Sequence, residues 1–367
     1  MYKNLVIPIE NLLSYNTIPR NNQLRHEIFN HCDRPEYTLV VDRNGECFVC
    51  SCEAWLPITV GHITDFQRLE DVWNSPGARS IQQDLADRHF SHCAVDRCGV
   101  LDHPIQTRFD CWQSEASRNN PDYRCYYISI NIDDSCNLAC PSCRPDLHMM
   151  ASGPDYQQKL AWIQHTVSLL EQFDRPVHIV MSGNGDPLAS AIMRPLLHSY
   201  RPGPEQTIRL FTNGLLLEKQ LTDNPIVDCI TQYFISTDAG SADVYHQVRR
   251  PGRFDLLLKN LDFLRQLVDQ RPQTEVLLKF VLQRDNWADQ EAFVDLCSRY
   301  GFRGIINRLE DWGTWSNYSQ QDVIGHVQHP EHAAALAELV RVYQLVQQHK
   351  LDIIYNSSLE RLVHESC

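Results

Sequence analysis

The chain has 367 residues, of which 43% are hydrophobic, so it can bury a sizeable core and form one large domain plus a smaller one. Its formal net charge of −13 leaves no excess of Lys and Arg for binding nucleic acid or an anionic membrane surface, so we expect neither partner. The first residues lack the apolar core of a signal peptide, and no apolar run is long enough to span a membrane. We therefore expect a cytoplasmic protein.

Cysteine is concentrated in the first part of the chain. Eleven of the fourteen cysteines lie within the first 143 residues. Because thiols stay reduced in the cytosol, clustered cysteines there indicate metal binding or catalysis more often than disulfides. The sequence therefore predicts metal chemistry in its N-terminal half.

Residues 1–125 show short apolar pieces and one helical stretch, from Leu69 to Leu85, without a long regular period. This pattern indicates a small domain organised by metal rather than by a large core. We expect Leu69, Val72 and Trp73 to form the packing face of the helix.

From Tyr126 onward, apolar strand-like runs alternate with amphipathic stretches, which is typical of βα units that build a parallel sheet. The predicted strands are 127–132, 177–181, 207–211, 232–236, 275–281 and 302–306. The predicted helices are 155–173, 189–200, 215–222, 254–269, 287–300 and 331–349. The fold class is thus α/β, a partial (β/α)6 TIM-like barrel over 126–310 that follows the small Cys-rich N-terminal domain and precedes a C-terminal helical extension over 311–367.

Three cysteines, Cys136, Cys140 and Cys143, directly follow the first of these strands. In a barrel of this kind, reacting groups lie at the carboxyl ends of the strands. A four-iron four-sulfur cluster normally takes four Cys ligands, so three would leave one iron open to substrate, as in catalytic zinc sites. The spacing alone also allows a zinc knot completed by His148.

The C-x3-C-x2-C spacing, its place after an opening strand and the βα repeats behind it resemble the radical S-adenosylmethionine superfamily over about residues 126–307. The resemblance implies a catalytic 4Fe-4S cluster whose open iron binds S-adenosylmethionine. One electron would then cleave the cofactor to a 5′-deoxyadenosyl radical.

The same resemblance assigns residues that contact the cofactor. The segment Ser182-Gly183-Asn184-Gly185-Asp186 resembles the glycine-rich segment that binds the methionyl amino group, although an isolated segment of this kind is usually a β-turn. Ser236, Asp238 and Arg249 resemble residues near the ribose and the methionyl carboxylate, and Arg binds carboxylates bidentately. The alternative for Arg249 is a surface ion pair. Thr212-Asn213-Gly214 is interpreted as a turn.

The cysteines of the N-terminal domain, together with Gly61-His62 and the Leu69–Ser75 segment, resemble the SPASM-type auxiliary-cluster domain, which usually follows the barrel and here precedes it. The ligand set that this resemblance favours for one auxiliary 4Fe-4S cluster is Cys32, Cys52, Cys93 and Cys98, with Cys50 as the main competitor of Cys52. Structural zinc is the alternative, because sets of four cysteines also form tetrahedral zinc sites.

Enzymes that combine this barrel with SPASM-type clusters frequently modify ribosomally made peptides by hydrogen abstraction, through crosslinking, epimerisation or excision. The resemblance therefore implies a precursor peptide as substrate, a separate peptide-recognition protein and an external electron donor. Two alternatives remain, a radical enzyme that acts on a sugar or an amino-acid derivative and a non-enzymatic zinc protein. No catalytic residue is assigned. Trp312 and Trp315 are expected either to cap a substrate pocket or to pack in the core.

Overall fold

A computed structural model describes residues 32–50, 55–94, 125–182, 184–311 and 313–366. Within this part of the chain, one nine-stranded sheet forms the centre, in the order β2-β1-β3-β4-β5-β6-β7-β8-β9. The strands are β1 (Thr38–Val41), β2 (Cys47–Phe48), β3 (Tyr126–Ile130), β4 (Val177–Met181), β5 (Gln206–Thr212), β6 (Ile230–Ser236), β7 (Glu275–Leu282), β8 (Arg303–Arg308) and β9 (Ile353–Tyr355).

Nine α-helices accompany these strands in the described residues. They are α1 (Leu69–Asn74), α2 (Pro76–Ala86), α3 (Pro154–Glu171), α4 (Leu217–Leu221), α5 (Ala242–Val248), α6 (Phe254–Gln270), α7 (Gln290–Tyr300), α8 (His332–His349) and α9 (Ser357–Ser366). A short π-helix, Pro195–Ser199, lies between β4 and β5. No helix in the described ranges combines the length and the apolar character that crossing a membrane would require.

Parallel pairing runs through the sheet from β1 to β9, and only β2 pairs antiparallel, with β1. All six predicted strands are present as β3 to β8. The predicted fold class, a partial α/β barrel preceded by a small Cys-rich domain, is confirmed.

The helices cover the outer face of the sheet. In α6, Leu257, Leu261 and Leu264 are fully buried at helical spacing, so one stripe of the helix faces the core. α7 is capped by the next residue, Gly301, whose φ of +63° is a left-handed conformation that glycine adopts without strain. These connections place the carboxyl ends of the parallel strands at one edge of the sheet.

The N-terminal region adds a strand directly beside the first barrel strand, because β1 pairs in parallel with β3 from Thr38 opposite Tyr127 to Val41 opposite Ile130. The region also packs against α3, where the His62 and Trp162 rings meet edge to face at 4.8 Å between centroids. The boundary placed at residue 125 remains a prediction.

The single helix expected from Leu69 to Leu85 is two helices. Pro76 begins α2, and Ser75 caps it by accepting a hydrogen bond from the Ala78 N–H at 3.3 Å. A proline is favoured in the first turn of a helix and disrupts a helix interior, which explains the break. Leu69, Val72 and Trp73 are buried, as expected for a packing face.

Candidate active site

The loop with the three clustered cysteines begins at the carboxyl end of β3 and is closed at its base by backbone pairing. The Cys136 N–H donates to the His148 carbonyl at 2.8 Å, and the Met150 N–H donates to the Ser135 hydroxyl at 2.9 Å. The loop is also tied to the α5–α6 connection, where the Ala139 N–H donates to the Arg250 carbonyl at 2.6 Å. These bonds fix both ends of the segment that contains the cysteines. We call residues 135–150 the cysteine loop.

The Cys136 sulfur accepts two N–H groups. The Leu138 amide lies at 3.4 Å and the Asn213 side-chain amide at 3.8 Å. The Asn213 amide also donates to the Asn137 side chain at 2.8 Å, so this residue, at the end of β5, joins two neighbours in the cysteine loop.

Each of the other two sulfurs accepts an N–H from an arginine. Arg249 contacts the Cys140 sulfur at 3.5 Å, and Arg144 contacts the Cys143 sulfur at 3.8 Å. Cys140 is 4% exposed, whereas Cys143 lies at the surface. Every sulfur of the loop therefore has at least one N–H donor, and two of these donors are cationic.

This setting fits thiolates bound to iron. Burial raises the pKa of the Cys136 thiol to about 11, and it raises that of Cys140 against the opposing effect of Arg249. A metal displaces such protons, and N–H donors to sulfur then stabilise the bound thiolates. In the described part of the chain, no three His, Cys, Asp or Glu side chains converge as ligands of a single metal ion do. A four-iron cluster lies between its cysteines and holds them farther apart than a shared ion would.

In the described residues, His148 does not join the three cysteines in a ligand set for a single metal ion. Its ring pairs with the Asp134 carboxylate at 3.2 Å and is about half exposed, while its carbonyl bonds the Cys136 N–H.

The predicted glycine-rich segment packs against the cysteine loop. Ser182 is partly exposed, Asn184 is exposed and Gly183 lies outside the described residues. At Gly185, a Cβ atom would come within 2.2 Å of the Ser135 carbonyl, so only glycine allows the two segments to approach so closely. The Asp186 N–H donates to that same carbonyl at 2.8 Å.

The Asp186 carboxylate is 3% exposed and is bonded within the protein. One oxygen accepts the Leu188 N–H at 2.9 Å, and the other accepts the Thr212 hydroxyl at 2.8 Å and the Asn213 N–H at 2.7 Å. Burial raises the pKa of this carboxyl, and the bonds to Asn213 and Thr212 oppose that change. Asp186 thus holds Asn213 toward the Cys136 sulfur. Its contact with a cofactor remains a prediction.

Asp238 and Arg249 form a buried ion pair at 2.6 Å between a carboxylate oxygen and a guanidinium nitrogen. The second oxygen of Asp238 accepts the Val281 N–H at 2.8 Å. Burial disfavours the charged form of Arg249 and would lower its pKa. The negative charges of Asp238 and Cys140 have the larger, opposite effect, so the Arg249 pKa is raised. The alternative of a surface ion pair does not apply, since the two side chains are 3% and 12% exposed.

Ser236 is partly exposed at the end of β6 and lies opposite Lys279 of β7 in the register. Lys279 belongs to the same face as Ser236, and its carbonyl accepts N–H bonds from Thr237 and Asp238 at 3.0 Å each. Sequence reasoning missed both Asn213 and Lys279. Asn213 could have been identified from its position in Thr-Asn-Gly at the end of a predicted strand. The only sequence feature that marks Lys279 is a positive charge within a largely apolar strand.

The cysteines predicted to bind the auxiliary cluster are only partly described by the structure. Cys32 and Cys93 are half-buried and Cys50 is 7% exposed, while Cys52 and Cys98 lie outside the described residues. Because β2 runs antiparallel to β1, Cys50 lies near the amino end of β1, away from the carboxyl ends that support the cysteine loop. The ligand set of the auxiliary cluster remains a prediction.

The segment after β8 reaches the cysteine loop, where the Thr314 hydroxyl donates to the Cys143 carbonyl at 3.4 Å. Trp315 is partly exposed in this segment, and Trp312 lies outside the described residues.

Comparisons with known proteins agree with this description. Residues 32–99 match the model of the SPASM iron–sulfur cluster-binding domain. The chain is 26% identical over 187 residues to mycofactocin maturase MftC of Mycolicibacterium smegmatis, covering 51% of this chain and 45% of the relative. It is 27% identical over 179 residues to an AdoMet-dependent heme synthase of Oleidesulfovibrio alaskensis, covering 48% and 43%. The chain thus spans less than half the length of these relatives.

Two solved structures show a weak likeness. Streptococcus suis SuiB bound to S-adenosylmethionine has a TM-score of 0.41 and 12% identity, covering 78% of this chain and 62% of that one. Native anSMEcpe with bound AdoMet has a TM-score of 0.42 and 11% identity, covering 63% of each chain.

The predicted resemblance to the radical S-adenosylmethionine superfamily, with a SPASM-type domain ahead of the barrel, is confirmed. The predicted cofactors, a catalytic 4Fe-4S cluster, S-adenosylmethionine and at least one auxiliary 4Fe-4S cluster, agree with these matches, since the SPASM model describes iron–sulfur cluster binding and the name of the second relative gives AdoMet.

Proposed function

We propose that this radical S-adenosylmethionine protein is an enzyme that modifies a ribosomally made precursor peptide by hydrogen abstraction, through crosslinking, epimerisation or excision. The observation that carries the enzymatic part is the cysteine loop, in which three sulfurs at the carboxyl end of β3 each accept an N–H donor. When bound, the cluster would supply the electron that reductively cleaves the cofactor's sulfonium, and hydrogen abstraction from the substrate would follow from that cleavage.

The chain's own residues would bind and shield these groups. Cys136, Cys140 and Cys143 would ligate three irons and leave the fourth for the cofactor. Arg249, held by Asp238, would keep positive charge beside the Cys140 thiolate and close to the cofactor's carboxylate. Ser236 would contribute a hydroxyl at the carboxyl end of β6. This hydroxyl would face the space enclosed by the barrel strands, which we call the lumen.

The peptide substrate is supported by the match to a maturase and by the SPASM match. A separate peptide-recognition protein and an external electron donor belong to the same proposal, as does a cytoplasmic location.

A small-molecule substrate is the second candidate. It is favoured by the heme synthase relative and by a GTP 3′,8-cyclase of a Synechococcus strain, which is 34% identical over 96 residues, 25% of this chain and 26% of the relative. The names of both relatives specify reactions on small molecules.

The test is anaerobic reduction of the reconstituted protein with S-adenosylmethionine, alone and with candidate precursor peptides. We expect 5′-deoxyadenosine, with its release stimulated by a peptide whose mass changes. Deuterium uptake without other mass change would indicate epimerisation, loss of two hydrogens would indicate crosslinking or desaturation, and a large loss would indicate excision. Stimulation by a small molecule and by no peptide would favour the second candidate. A protein that binds zinc, without iron or sulfide, would contradict both.

A further inference from the structure

Lys279 places a positive charge inside the barrel. Its neighbours Leu278 and Phe280 are fully buried in the core that the helices cover, and side chains alternate along a strand, so Lys279 faces the lumen. In the register, it lies between Ser236 of β6 and Ile305 of β8. All three of these residues are partly exposed, which means that solvent reaches this level of the lumen.

Aromatic rings line the lumen beside this lysine. The Lys279 ammonium lies 5.4 Å from the centroid of the Phe211 ring, within the range of a cation–π contact. Phe211 in turn stacks on Phe234, at 4.1 Å between centroids and 5° between planes. The rings form one wall of the space around the ammonium.

In the part of the chain that the structure describes, the ammonium has no oxygen partner and lies against the Phe211 ring. The charged groups that face it are Asp238, Arg249 and, after β8, the exposed Glu310. Both carboxylate oxygens of Asp238 are already bonded, one to Arg249 and one to the Val281 N–H. Asp238 is therefore bonded to Arg249 and Val281, and it acts on Lys279 through its charge alone, which favours the ammonium form.

A cation that is partly shielded from water gains more from a charged partner than a fully solvated cation does. A lumen lysine without a counter-ion, beside an aromatic wall and one strand from Ser236, is the arrangement expected of a site that an anionic ligand completes. Burial lowers the pKa of Lys279, which agrees with a charge that lacks a partner in the free protein.

We propose that Lys279 is a specificity-determining residue that binds a carboxylate of the substrate, an Asp or Glu side chain or a terminal carboxylate, within the barrel lumen. This inference rests on the proposed function only in taking the lumen as the place where the substrate binds. It names a property of the substrate, whether that substrate is a peptide or a small molecule. The other source of a carboxylate at this depth is the methionyl group of the cofactor.

The experiment measures anaerobic binding of two blocked tripeptides, acetyl-Gly-Glu-Gly-amide and acetyl-Gly-Gln-Gly-amide, to the full-length reconstituted protein with S-adenosylmethionine present. A charge-assisted hydrogen bond is worth enough to favour the Glu peptide by about 10-fold. We expect K279M to abolish this preference and K279R to retain part of it. K259M is the matched control, since Lys259 is exposed and paired with Glu218, and its preference should equal that of the unaltered protein. Equal binding of the two peptides, or no measurable binding of either, would overturn the inference.

A second arm separates the two sources of the carboxylate. We compare the affinities of S-adenosylmethionine and its decarboxylated analogue in the unaltered protein and in K279M. If K279M removes the discrimination between these two and keeps the preference for the Glu peptide, Lys279 binds the cofactor and the substrate assignment is wrong. Iron content and thermal unfolding of K279M and K279R show whether either variant is misfolded.

Failure of the proposed function would look different. A protein that releases no 5′-deoxyadenosine under any condition would contradict the enzymatic proposal, while the two tripeptides would still report whether Lys279 selects a carboxylate.

Discussion

Asp238 holds Arg249 against the Cys140 sulfur from a left-handed backbone conformation. Its φ is +53°, its carboxylate lies 2.6 Å from the guanidinium, and that guanidinium reaches the sulfur at 3.5 Å. Asp and Asn tolerate this conformation better than most residues do. The end of β6 therefore fixes a positive charge beside a cysteine of the loop that follows β3.

The first prediction concerns this ion pair. Asp238→Asn keeps a residue suited to positive φ but leaves Arg249 buried without its counter-charge, so we expect a loss of about 3–5 kcal/mol in the free energy of unfolding. Denaturant unfolding of the metal-free protein measures it. Asp228→Asn is the matched control, because Asp228 and Arg271 form an exposed pair that should contribute at most about 1 kcal/mol. Equal effects of the two substitutions would contradict the role of the buried pair.

The second prediction concerns the close approach at Gly185. In Gly185→Ala, the new Cβ would clash with the Ser135 backbone and displace the start of the cysteine loop, so iron and sulfide per chain should fall after reconstitution. Gly203→Ala serves as control, since its Cβ would meet only the Gln206 side chain at ordinary contact distance. Undiminished iron in Gly185→Ala would show that the loop does not depend on this contact.

The third prediction concerns Asn213. Asn213→Ala removes the donor to the Cys136 sulfur and to Asn137, so we expect about a 10-fold loss of cluster affinity or of cofactor cleavage, as for other residues that orient metal ligands. Asn224→Ala is a suitable control, because Asn224 makes its bonds near the π-helix, away from the cysteine loop. The account of Asn213 fails if the two variants retain the same iron content and activity.

The fourth prediction concerns His178, whose pKa is lowered to about 3 by burial and by nearby Arg209. In the unfolded chain, the His178 ring takes up a proton as the pH falls through about 6.5, whereas in the folded chain it stays neutral down to about pH 3. Protonation therefore favours the unfolded chain in this range. The free energy of unfolding is unaffected by His178 above pH 6.5 and declines as the pH falls toward 3. The decline is at most about 1.4 kcal/mol per pH unit for one such group.

His178→Gln removes the titrating group and can keep a bond to Thr207, which lies 2.6 Å from the His178 ring. Unfolding free energies between about pH 7.5 and 5 should therefore fall less steeply in this variant than in the unaltered protein. Identical slopes would show that His178 does not titrate as described.

The parts of the fold that sequence predicted are those in which local pattern and tertiary burial agree. β4, for example, is a largely buried apolar run, so its bounds match the prediction. β1 and β9 were missed because they are four and three residues long and owe their pairing to the neighbouring strands. The helix break at Pro76 could have been predicted from the sequence, because proline disrupts a helix interior.

In the site, spacing identified the three cysteines but not the groups that support them. Asn213 and Arg249 lie 77 and 109 residues along the chain from the cysteines they contact, so only the folded sheet brings them together. Asp186 was identified from its segment, yet its bonds to Thr212 and Asn213 depend on the pairing of β4 with β5.

The auxiliary domain has a separate prediction. Cys93→Ala should lower the iron content and the product yield while leaving some cleavage of the cofactor, because the three cysteines of the cysteine loop are unchanged. Iron analysis alongside 5′-deoxyadenosine release measures both effects. Unchanged iron content would argue against Cys93 as a ligand.

Cleavage of S-adenosylmethionine by the Cys140→Ala variant is the most direct measurement of the central proposal. The variant removes the buried sulfur that Arg249 contacts and one of three proposed ligands of the catalytic cluster. Reduced anaerobically with S-adenosylmethionine, the unaltered protein should release 5′-deoxyadenosine and Cys140→Ala should release none. Continued release by Cys140→Ala at the rate of the unaltered protein would contradict the assignment of the cysteine loop as the catalytic cluster site.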